Sequence, residues 1–426
     1  MYEFRGSSNK SKTTFPSNLN SGKVIQRDIG FEVEVKNWRT WKPATPQVYP
    51  ETILKKFKTL RIPHAAKEVI LKGEGFELTA DRPTNESVPE FVTTPEPETP
   101  EGLTKTLETF KRIEKIVDIL HQKAVKQSDM LVTMCPIESL GQNTNPMTLF
   151  DASEKPDFHP QANVGLKLSK IPEIFLRSGD NPPSCPSRER LTRIRSVDTK
   201  QAREEMMSMK SAQSRASEAL RLFFNNHRSS MPFSQPSPEL VGLCALMIHY
   251  MECPMINYSA YVKSYFPIMA RTDFAGIFEL LPHDEQTFFR LDNGKYFLEI
   301  FAFGKYGVVQ NTPLDMSELF FAKGVRQGQA GASCYALDQL TREQWIRNIP
   351  AGVDMLTRRH YPGPDEQKNE LDTIGSWANC YDKVGKQKQL APIFELRRLQ
   401  YTDNTEELSK VARDVFLIIM SLNRDQ

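Results

Sequence analysis

The chain has 426 residues, of which 39% are hydrophobic and 25% are charged, and it contains 25 Phe and 12 Tyr. This composition is typical of a globular protein and excludes a wholly disordered chain. The formal net charge of +2 gives no general attraction to nucleic acid or to anionic membranes. No apolar run reaches the length of a bilayer, so we expect neither a nucleic-acid partner nor a membrane span.

The N-terminal stretch, residues 1–24, is polar and basic, and it predicts a disordered leader. It lacks the apolar segment of a Sec signal peptide. The six cysteines form no CxxC pair, which favours a reduced compartment over a disulfide framework or a zinc finger. Residues 25–426 are predicted to form one large domain.

Strands and helices alternate along this domain. "GFEVEV" and the pair of runs in "KEVILKGEGFELTAD" predict strands around a glycine-rich turn. Leu103, Leu107, Phe110 and Ile113 recur at helical spacing, and helical insertions are expected at about 100–128 and 200–260. "RLDNGKYFLEIF" carries an Asn-Gly hairpin signal. "PIFELRRL" predicts a last strand, and residues 405–423 a closing helix. The pattern indicates an α+β fold with a curved, mostly antiparallel sheet and helices packed on one side.

Four predicted strands place polar side chains on one face and apolar side chains on the other. Taken singly, each is what a half-solvated antiparallel strand shows. Taken together, their acidic side chains would converge if the polar faces align. Carboxylates crowded together repel one another unless a cation neutralises them, and Mg²⁺ prefers such oxygen ligands. The acidic and amide residues concerned are Glu32, Glu34, Asp81, Glu90, Gln161, Asn163 and Glu395.

The ordered set resembles the carboxylate–amine ligases built on the glutamate–cysteine ligase fold, which include the amidoligases and are related in architecture to glutamine synthetase. "GFEVE" matches the family's G-x-E-x-E strand, and "ADRPTNESVPEFVTTP" matches an acidic residue before E-[FL]-[IV]-T-x-P. "QAN" stands at the family's H-x-N strand, and "FELRRL" stands at the late E-[VL]-R strand. "MARTDFAGIF" offers an arginine between the last two motifs. The resemblance runs from about residue 29 to 400.

The resemblance implies an open-barrel sheet and an ATP- and Mg²⁺-dependent reaction. ATP phosphorylates a substrate carboxylate, and an amine attacks the acyl phosphate to give an amide; neither substrate is identified. Arg271 and Arg397 are expected to contact phosphate or substrate carboxylate, with Asn163 as a third catalytic residue. The expected metal ligands are Glu32, Glu34, Asp81, Glu90, Gln161 and Glu395.

Gln161 departs from the family, whose members carry a metal-binding His at this position. A Gln carbonyl oxygen still ligates Mg²⁺, although it is neutral. His159, two residues earlier on the same strand face, is an alternative ligand, with Pro160 beside it disturbing the strand. The chain is therefore expected to be a divergent member.

Two segments suggest further roles. The basic, glycine-rich loop from Lys323 to Gly331 offers Lys323 and Arg326 to the nucleotide. The same composition is also typical of an ordinary mobile surface loop. The leader ending in "SGKVIQR" resembles leaders of bacterial toxin domains carried by injection systems. On that reading the protein is made in the bacterial cytoplasm and acts as an effector in the cytosol of a target cell.

Three other functions remain open. An ADP-ribosyltransferase toxin also uses E-x-E, but late in its domain and after strands that are not found here. A cysteine-based deamidase or transglutaminase needs a nucleophile that no local signature singles out. A ligase fold retained as a non-catalytic binding module is consistent with Gln161 in place of His.

Overall fold

The structure of the protein is a computed structural model. It describes residues 28–43, 61–65, 67–81, 87–126, 132–134, 141–143, 148–177, 200–257, 268–272, 274–302, 308–309, 312–313, 341–352, 392–397, 399 and 401–423. The predicted leader 1–24 and the loop from Lys323 to Gly331 lie outside the described residues.

The largest element is a nine-stranded sheet in which every strand pairing is antiparallel. Its strands lie in the order β12-β15-β11-β1-β6-β5-β4-β9, and β7 pairs with β1. Their bounds are β1 Asp28–Val35, β4 Glu68–Gly73, β5 Phe76–Asp81, β6 Val88–Thr93, β7 Glu96–Pro97, β9 Gly141–Asn143, β11 Phe158–Gly165, β12 Ile268–Ala270 and β15 Ile393–Leu396. Among the described strands the sheet is open, with β12 and β9 at its two ends.

Two smaller sheets accompany it. The first is four-stranded, in the order β3-β2-β10-β8, and the second is a two-stranded pair of β13 and β14. Their bounds are β2 Arg39–Pro43, β3 Arg61–Ile62, β8 Val132–Met134, β10 Thr148–Asp151, β13 Val308–Val309 and β14 Thr312–Pro313.

Helices lie between the strands, as the α+β pattern predicts. The α-helices are α1 Pro100–Lys126, α2 Ile171–Arg177, α3 Lys200–His227, α4 Pro238–Asn257, α5 Phe274–Phe278, α6 His283–Arg290, α7 Lys295–Ala302, α8 Arg342–Asn348 and α9 Thr405–Asn423. Short 3-10 turns occupy Leu168–Lys170 and Leu291–Gly294. None of the helices in the described part of the chain is long and apolar enough to cross a membrane.

The nine-stranded sheet has one apolar face and one polar face. Along β1, Ile29, Phe31, Val33 and Val35 are buried in the core, while Glu32 and Glu34 alternate with them on the other face. The ring of Phe31 meets that of Phe110 in α1 edge to face, with centroids 5.4 Å apart. The face of the sheet that packs against α1 is therefore the apolar face, and the acidic side chains lie on the opposite face.

The expected α+β class and antiparallel sheet are confirmed, whereas the predicted hairpin at "LDNG" is wrong. Asp292, Asn293 and Gly294 have φ values of 49°, 51° and 72°, so three left-handed residues turn the chain from α6 into α7. Phe297, Ile300 and Phe301 of α7 are buried. Their helical spacing outweighs the local turn signal, because the apolar stripe has to face the core.

Candidate active site

Cross-strand pairing brings the acidic residues of distant segments onto one face of the sheet. Glu34 of β1 pairs directly with Glu90 of β6, and Glu90 in turn pairs with Thr79 of β5. Directly paired residues of antiparallel strands point to the same face. Asp81 lies two residues beyond Thr79 and therefore shares that face.

Three carboxylates form the tightest group on this face. Glu34, Asp81 and Glu90 each offer one oxygen that lies within 4.8 Å of the other two. Glu34 and Glu90 are buried, and Asp81 is half-buried. We call these three residues the acidic cluster. Like charges at this separation disfavour full ionisation unless cations are close.

Lys67 supplies one such cation from the turn before β4. Its Nζ lies 2.5 Å from Glu90 Oε2 and 3.9 Å from both Glu32 Oε2 and Asp81 Oδ1. Burial lowers the pKa of Lys67, but the carboxylates of Glu90, Glu32 and Asp81 together raise it further, so the net shift is upward. Lys67 is thus held as an ammonium in contact with the cluster.

Lys36 supplies the second cation. It follows β1 at the next position of the same alternation, and its ammonium forms an ion pair with Oε2 of Glu34. Burial lowers the pKa of Lys36, and the nearby guanidiniums of Arg397 and Arg39 act in the same direction, against Asp81 and Glu90. Lys36 therefore lies in the field of both the acidic cluster and the arginine side of the site.

Glu90 is the most perturbed carboxylate of the site. It is 1% exposed, and burial raises its pKa to about 7, with Glu32 and Asp81 adding to the rise and Lys67 opposing it. Thr79 Oγ1 donates a hydrogen bond of 3.2 Å to Glu90 Oε2. Near neutral pH this residue is consequently poised between its acid and its carboxylate.

Glu32 lies beside the cluster, toward β11. It pairs in register with Gln161, and it accepts a 3.0 Å hydrogen bond from Asn163 Nδ2. Oδ1 of Asn163 is buried and accepts no hydrogen bond within the described part of the chain. The Glu32, Gln161 and Asn163 side chains thus form a polar strip next to the cluster, with acceptor oxygens available.

Glu395 is enclosed by two arginines on the far side of β11. It pairs with Asn163 across β11 and β15. Its Oε2 lies 2.8 Å from Arg271 Nε, and its Oε1 accepts a bond from Arg397 Nη1. Glu395 is 1% exposed, and Arg271 and Arg397 are 12% and 19% exposed. Each carboxylate oxygen therefore faces a guanidinium, and the arrangement is a buried arginine clamp.

His159 lies at the end of the site near Glu34, its partner across β1 and β11. Its Nε2 is 3.0 Å from Asp157 Oδ2, and its ring stacks on Tyr401 with centroids 3.8 Å apart. Burial lowers the pKa of His159, although Asp157 opposes the shift. Strand β11 runs through Pro160, so the expected disturbance there does not occur.

Gly30 has a steric role at the start of the motif "GFEVE". A Cβ at this position would lie 3.3 Å from Pro95 Cγ, which is tighter than ordinary contact. The chain after β6 therefore approaches the polar face over Gly30. Phe31 N donates a 2.8 Å hydrogen bond to Thr93 Oγ1, which holds β1 against that segment.

The acidic cluster is a candidate site for a metal ion. The three carboxylate oxygens lie within 4.8 Å of one another, and carboxylate oxygens are ligands that Mg²⁺ takes, at about 2.1 Å from the ion. Buried carboxylates need compensating positive charge, and a metal ion would add to that of Lys36 and Lys67. Glu34, Asp81 and Glu90 are the residues that would hold the ion, with Glu32 beside them.

The predicted residues do not all form one group. Glu34, Asp81 and Glu90 form the cluster, Glu32, Gln161 and Asn163 form the neighbouring strip, and Glu395 lies with Arg271 and Arg397. Lys323 and Arg326 lie outside the described residues.

Two lysines of the site were missed by sequence reasoning. Lys36 continues the alternation of Glu32 and Glu34, so the pattern of β1 already contained its signal. Lys67 lies in a turn with no periodicity, and only the folded chain brings it to the cluster.

Comparisons with known proteins add one distant likeness. No protein-family model matches the sequence, and no curated protein matches it. One solved structure, described as a Vibrio cholerae toxin from the MARTX/VgrG family, is similar over 88% of this chain and 94% of that chain. The sequence identity is 13% and the TM-score is 0.42. At this level the likeness carries no argument about fold or function.

Proposed function

We propose that the protein is an ATP- and Mg²⁺-dependent carboxylate–amine ligase that forms an amide. The observation that supports the proposal is the gathering of Glu34, Asp81 and Glu90 into one group, next to a buried arginine clamp on the same face of the sheet. These residues come from strands β1, β5, β6 and β15 and from the positions directly after β12 and β15. An ordinary wet surface does not require buried carboxylates from distant segments to converge.

The two charged regions correspond to the two needs of phosphoryl transfer. Glu34, Asp81 and Glu90 would hold Mg²⁺, which supplies charge neutralisation across the nucleotide phosphates. Arg271 and Arg397, oriented by Glu395, would present donors to phosphoryl oxygens or to a substrate carboxylate. Glu395 then acts as the positioning residue of the clamp, and Glu32 and Asn163 lie between the two regions.

The chemistry divides into two transfers. A substrate carboxylate oxygen attacks the terminal phosphorus of ATP, the bond to the bridging oxygen breaks, and ADP leaves. The amine nitrogen then attacks the acyl carbon, the C–O bond to phosphate breaks, and the amine loses its proton as phosphate leaves. In this scheme the arginines stabilise the negative charge on the oxygens of the transferred phosphoryl group. The ion pairs with the buried Glu395 keep the two guanidiniums in place.

A non-catalytic binding module is the second candidate function. The ion pairs of Lys36 with Glu34 and of Lys67 with Glu90 favour it, because they neutralise the cluster with the protein's own cations.

A cysteine nucleophile finds no support at Cys244, whose thiol is fully buried and has a pKa raised by burial well above its ordinary value. A buried thiol of this kind is inert.

Delivery as a bacterial effector is part of the proposal and rests on the leader alone. The motif "SGKVIQR" precedes β1 directly, so the proposed carrier-binding segment adjoins the catalytic fold. Expression of the chain in the cytosol of a host cell, with and without residues 1–24, separates the two parts. Toxicity that is independent of the leader would show that residues 25–426 carry the activity, as the proposal requires; toxicity lost with the leader would contradict a role in delivery alone.

The direct test is ATP consumption by wild type and by Glu34→Gln, with mixed carboxylic acids and amines as substrates. We expect wild type to release ADP and phosphate in a Mg²⁺-dependent reaction. The variant should lose at least about a hundredfold of this rate, since it loses a ligand of the ion.

Glu77→Gln is the matched control. Glu77 belongs to β5 like Asp81, but it pairs with Lys72 and is 41% exposed. It should retain the wild-type rate. ATP consumption that is equal in Glu34→Gln and wild type, or absent in wild type with every substrate mixture, would remove the ligase proposal.

A further inference from the structure

Among the described residues, Lys67 forms ion pairs with Glu90 and with two acidic neighbours of Glu90. Its ammonium lies within 4 Å of carboxylate oxygens of Glu90, Glu32 and Asp81. Two of these residues, Glu90 and Asp81, also belong to the acidic cluster. The position that a divalent ion would share with these carboxylates is therefore already adjacent to the ammonium of Lys67.

The lysine differs from the arginines of the site in its access to water. The side chain of Lys67 is 46% exposed, whereas its partner Glu90 is 2% exposed. Arg271 and Arg397 are largely buried. The ammonium of Lys67 can withdraw into solvent on its flexible stem, while the Glu90 carboxylate stays in place.

A backbone hydrogen bond holds the Cα of Lys67 next to β5. Lys67 N donates a 2.8 Å hydrogen bond to the carbonyl of Ala80, next to Asp81. The residue has a φ of 58°, a left-handed conformation that L-residues rarely adopt. The hydrogen bond to β5 keeps the root of the side chain beside the cluster, so that only the side chain has to move.

We propose that Lys67 is a tethered counter-ion that occupies the place of the divalent cation, so that ammonium and cation exclude each other and Lys67 sets the cation affinity. This inference rests on the proposed cation site at Glu34, Asp81 and Glu90. Without the cation, Lys67 keeps the buried Glu90 from being an unpaired charge. With the cation, its ammonium turns outward, toward the side from which an anionic nucleotide would approach.

The exclusion follows from charge. A divalent ion at the cluster and an ammonium at 2.5 Å from the same Glu90 oxygen repel each other and compete for the same lone pairs. Removal of the ammonium removes the competitor and leaves all three carboxylates unchanged. If Lys67 only supported the site, its removal would weaken cation binding. If Lys67 competes with the cation, its removal tightens cation binding.

The test is direct binding of Mn²⁺ to the full chain, measured through the electron paramagnetic resonance signal of the free ion. We expect Lys67→Met to bind Mn²⁺ more tightly than wild type, on the order of tenfold or more. Lys72→Met is the matched control, because Lys72 pairs with the exposed Glu77 on the neighbouring strand. It should bind Mn²⁺ as wild type does.

A second measurement covers the folding of the variant. Thermal unfolding of Lys67→Met and Lys67→Gln should occur at lower temperature than that of wild type in EDTA, because Glu90 loses its partner. With Mn²⁺ added, both variants should gain more in unfolding temperature than wild type gains. Mn²⁺ binding by both Lys67→Met and Lys67→Gln that is equal to or weaker than that of wild type, or no Mn²⁺ binding by wild type and these two variants, overturns the inference.

These outcomes are separate from those of the ligase proposal. Tighter Mn²⁺ binding by Lys67→Met with no ATP consumption by wild type would retain the tethered counter-ion and remove the ligase. ATP consumption that is lost in Glu34→Gln, together with unchanged Mn²⁺ affinity in Lys67→Met, would retain the ligase and remove the counter-ion.

Discussion

At the scale of single residues, Glu90 concentrates the electrostatics of the site. It is buried, its pKa is raised to about 7 by that burial, and its Oε2 accepts a hydrogen bond from Thr79 Oγ1 and contacts the ammonium of Lys67. The sequence placed Glu90 on the polar face through strand alternation. The burial of Glu90 could not be predicted from the sequence. It depends on the pairing of β5 with β6 and on the position of Lys67 beside Glu90.

This raised pKa predicts a pH dependence of stability. The pKa of Glu90 is about 7 in the folded protein against 4.5 for an ordinary Glu, so the folded state binds the proton more tightly than the unfolded chain. The stabilising contribution is therefore complete below about pH 4.5 and is lost as the pH rises through 7. Wild type in EDTA should lose roughly 2 to 3 kcal/mol of unfolding free energy relative to Glu90→Gln over this interval.

Urea denaturation of both proteins at pH 4.5 and pH 8 measures the effect. His64 and His159, whose pKa values are lowered by burial, titrate in both proteins and therefore largely cancel in the difference. A difference in unfolding free energy between variant and wild type that is the same at both pH values would contradict the assignment.

At the scale of elements, the hydrophobic patterns predicted the structure well where one period ran over many residues. The stripe of Leu103, Phe110 and Ile113 became α1, and the alternation of "GFEVEV" became β1. The short signal Asn293–Gly294 failed, because the segment that follows it forms α7 and buries Phe297, Ile300 and Phe301 at helical spacing. Pairing between strands 50 to 230 residues apart is not contained in any local pattern, so the cluster itself was an inference from motif order.

The contact of α1 with β1 carries a stability prediction. Phe110 is 2% exposed and meets Phe31 edge to face, so Phe110→Ala should lower the free energy of unfolding by about 3 to 5 kcal/mol. Lys111→Ala, at the next and exposed position of α1, should change it by less than about 0.5 kcal/mol. Chemical denaturation compares the two variants, and equal effects would show that α1 does not pack on β1 through Phe110.

At the scale of the whole molecule, the two faces of the sheet differ in what they contact. Its apolar face carries the helices, and the candidate site on its polar face contains five carboxylates and four cationic side chains drawn from most of the length of the described chain. The charges nearly balance, which explains how so many acids are tolerated in and around a partly buried face. On the proposed function, we expect a cation and a polyanion to bind this site together.

Joint binding of Mg²⁺ and ATP should therefore stabilise the protein as a whole. A ligand present at about 100 times its Kd adds about 2.7 kcal/mol to the free energy of unfolding. Differential scanning fluorimetry should show a rise in unfolding temperature with Mg²⁺ and ATP, and a smaller one with ATP in EDTA. The rise should disappear in Glu34→Gln, and NAD should have no effect; a shift produced by NAD instead would favour an ADP-ribosyltransferase.

The central claim is that Glu34, Asp81 and Glu90 hold a divalent cation, and anomalous diffraction tests it most directly. Crystals grown with Mn²⁺ and a non-hydrolysable ATP analogue should show an anomalous peak bounded by these three carboxylates, with the Lys67 ammonium displaced from Glu90. Density that leaves Lys67 on Glu90, with no anomalous peak among the three carboxylates, would contradict the account.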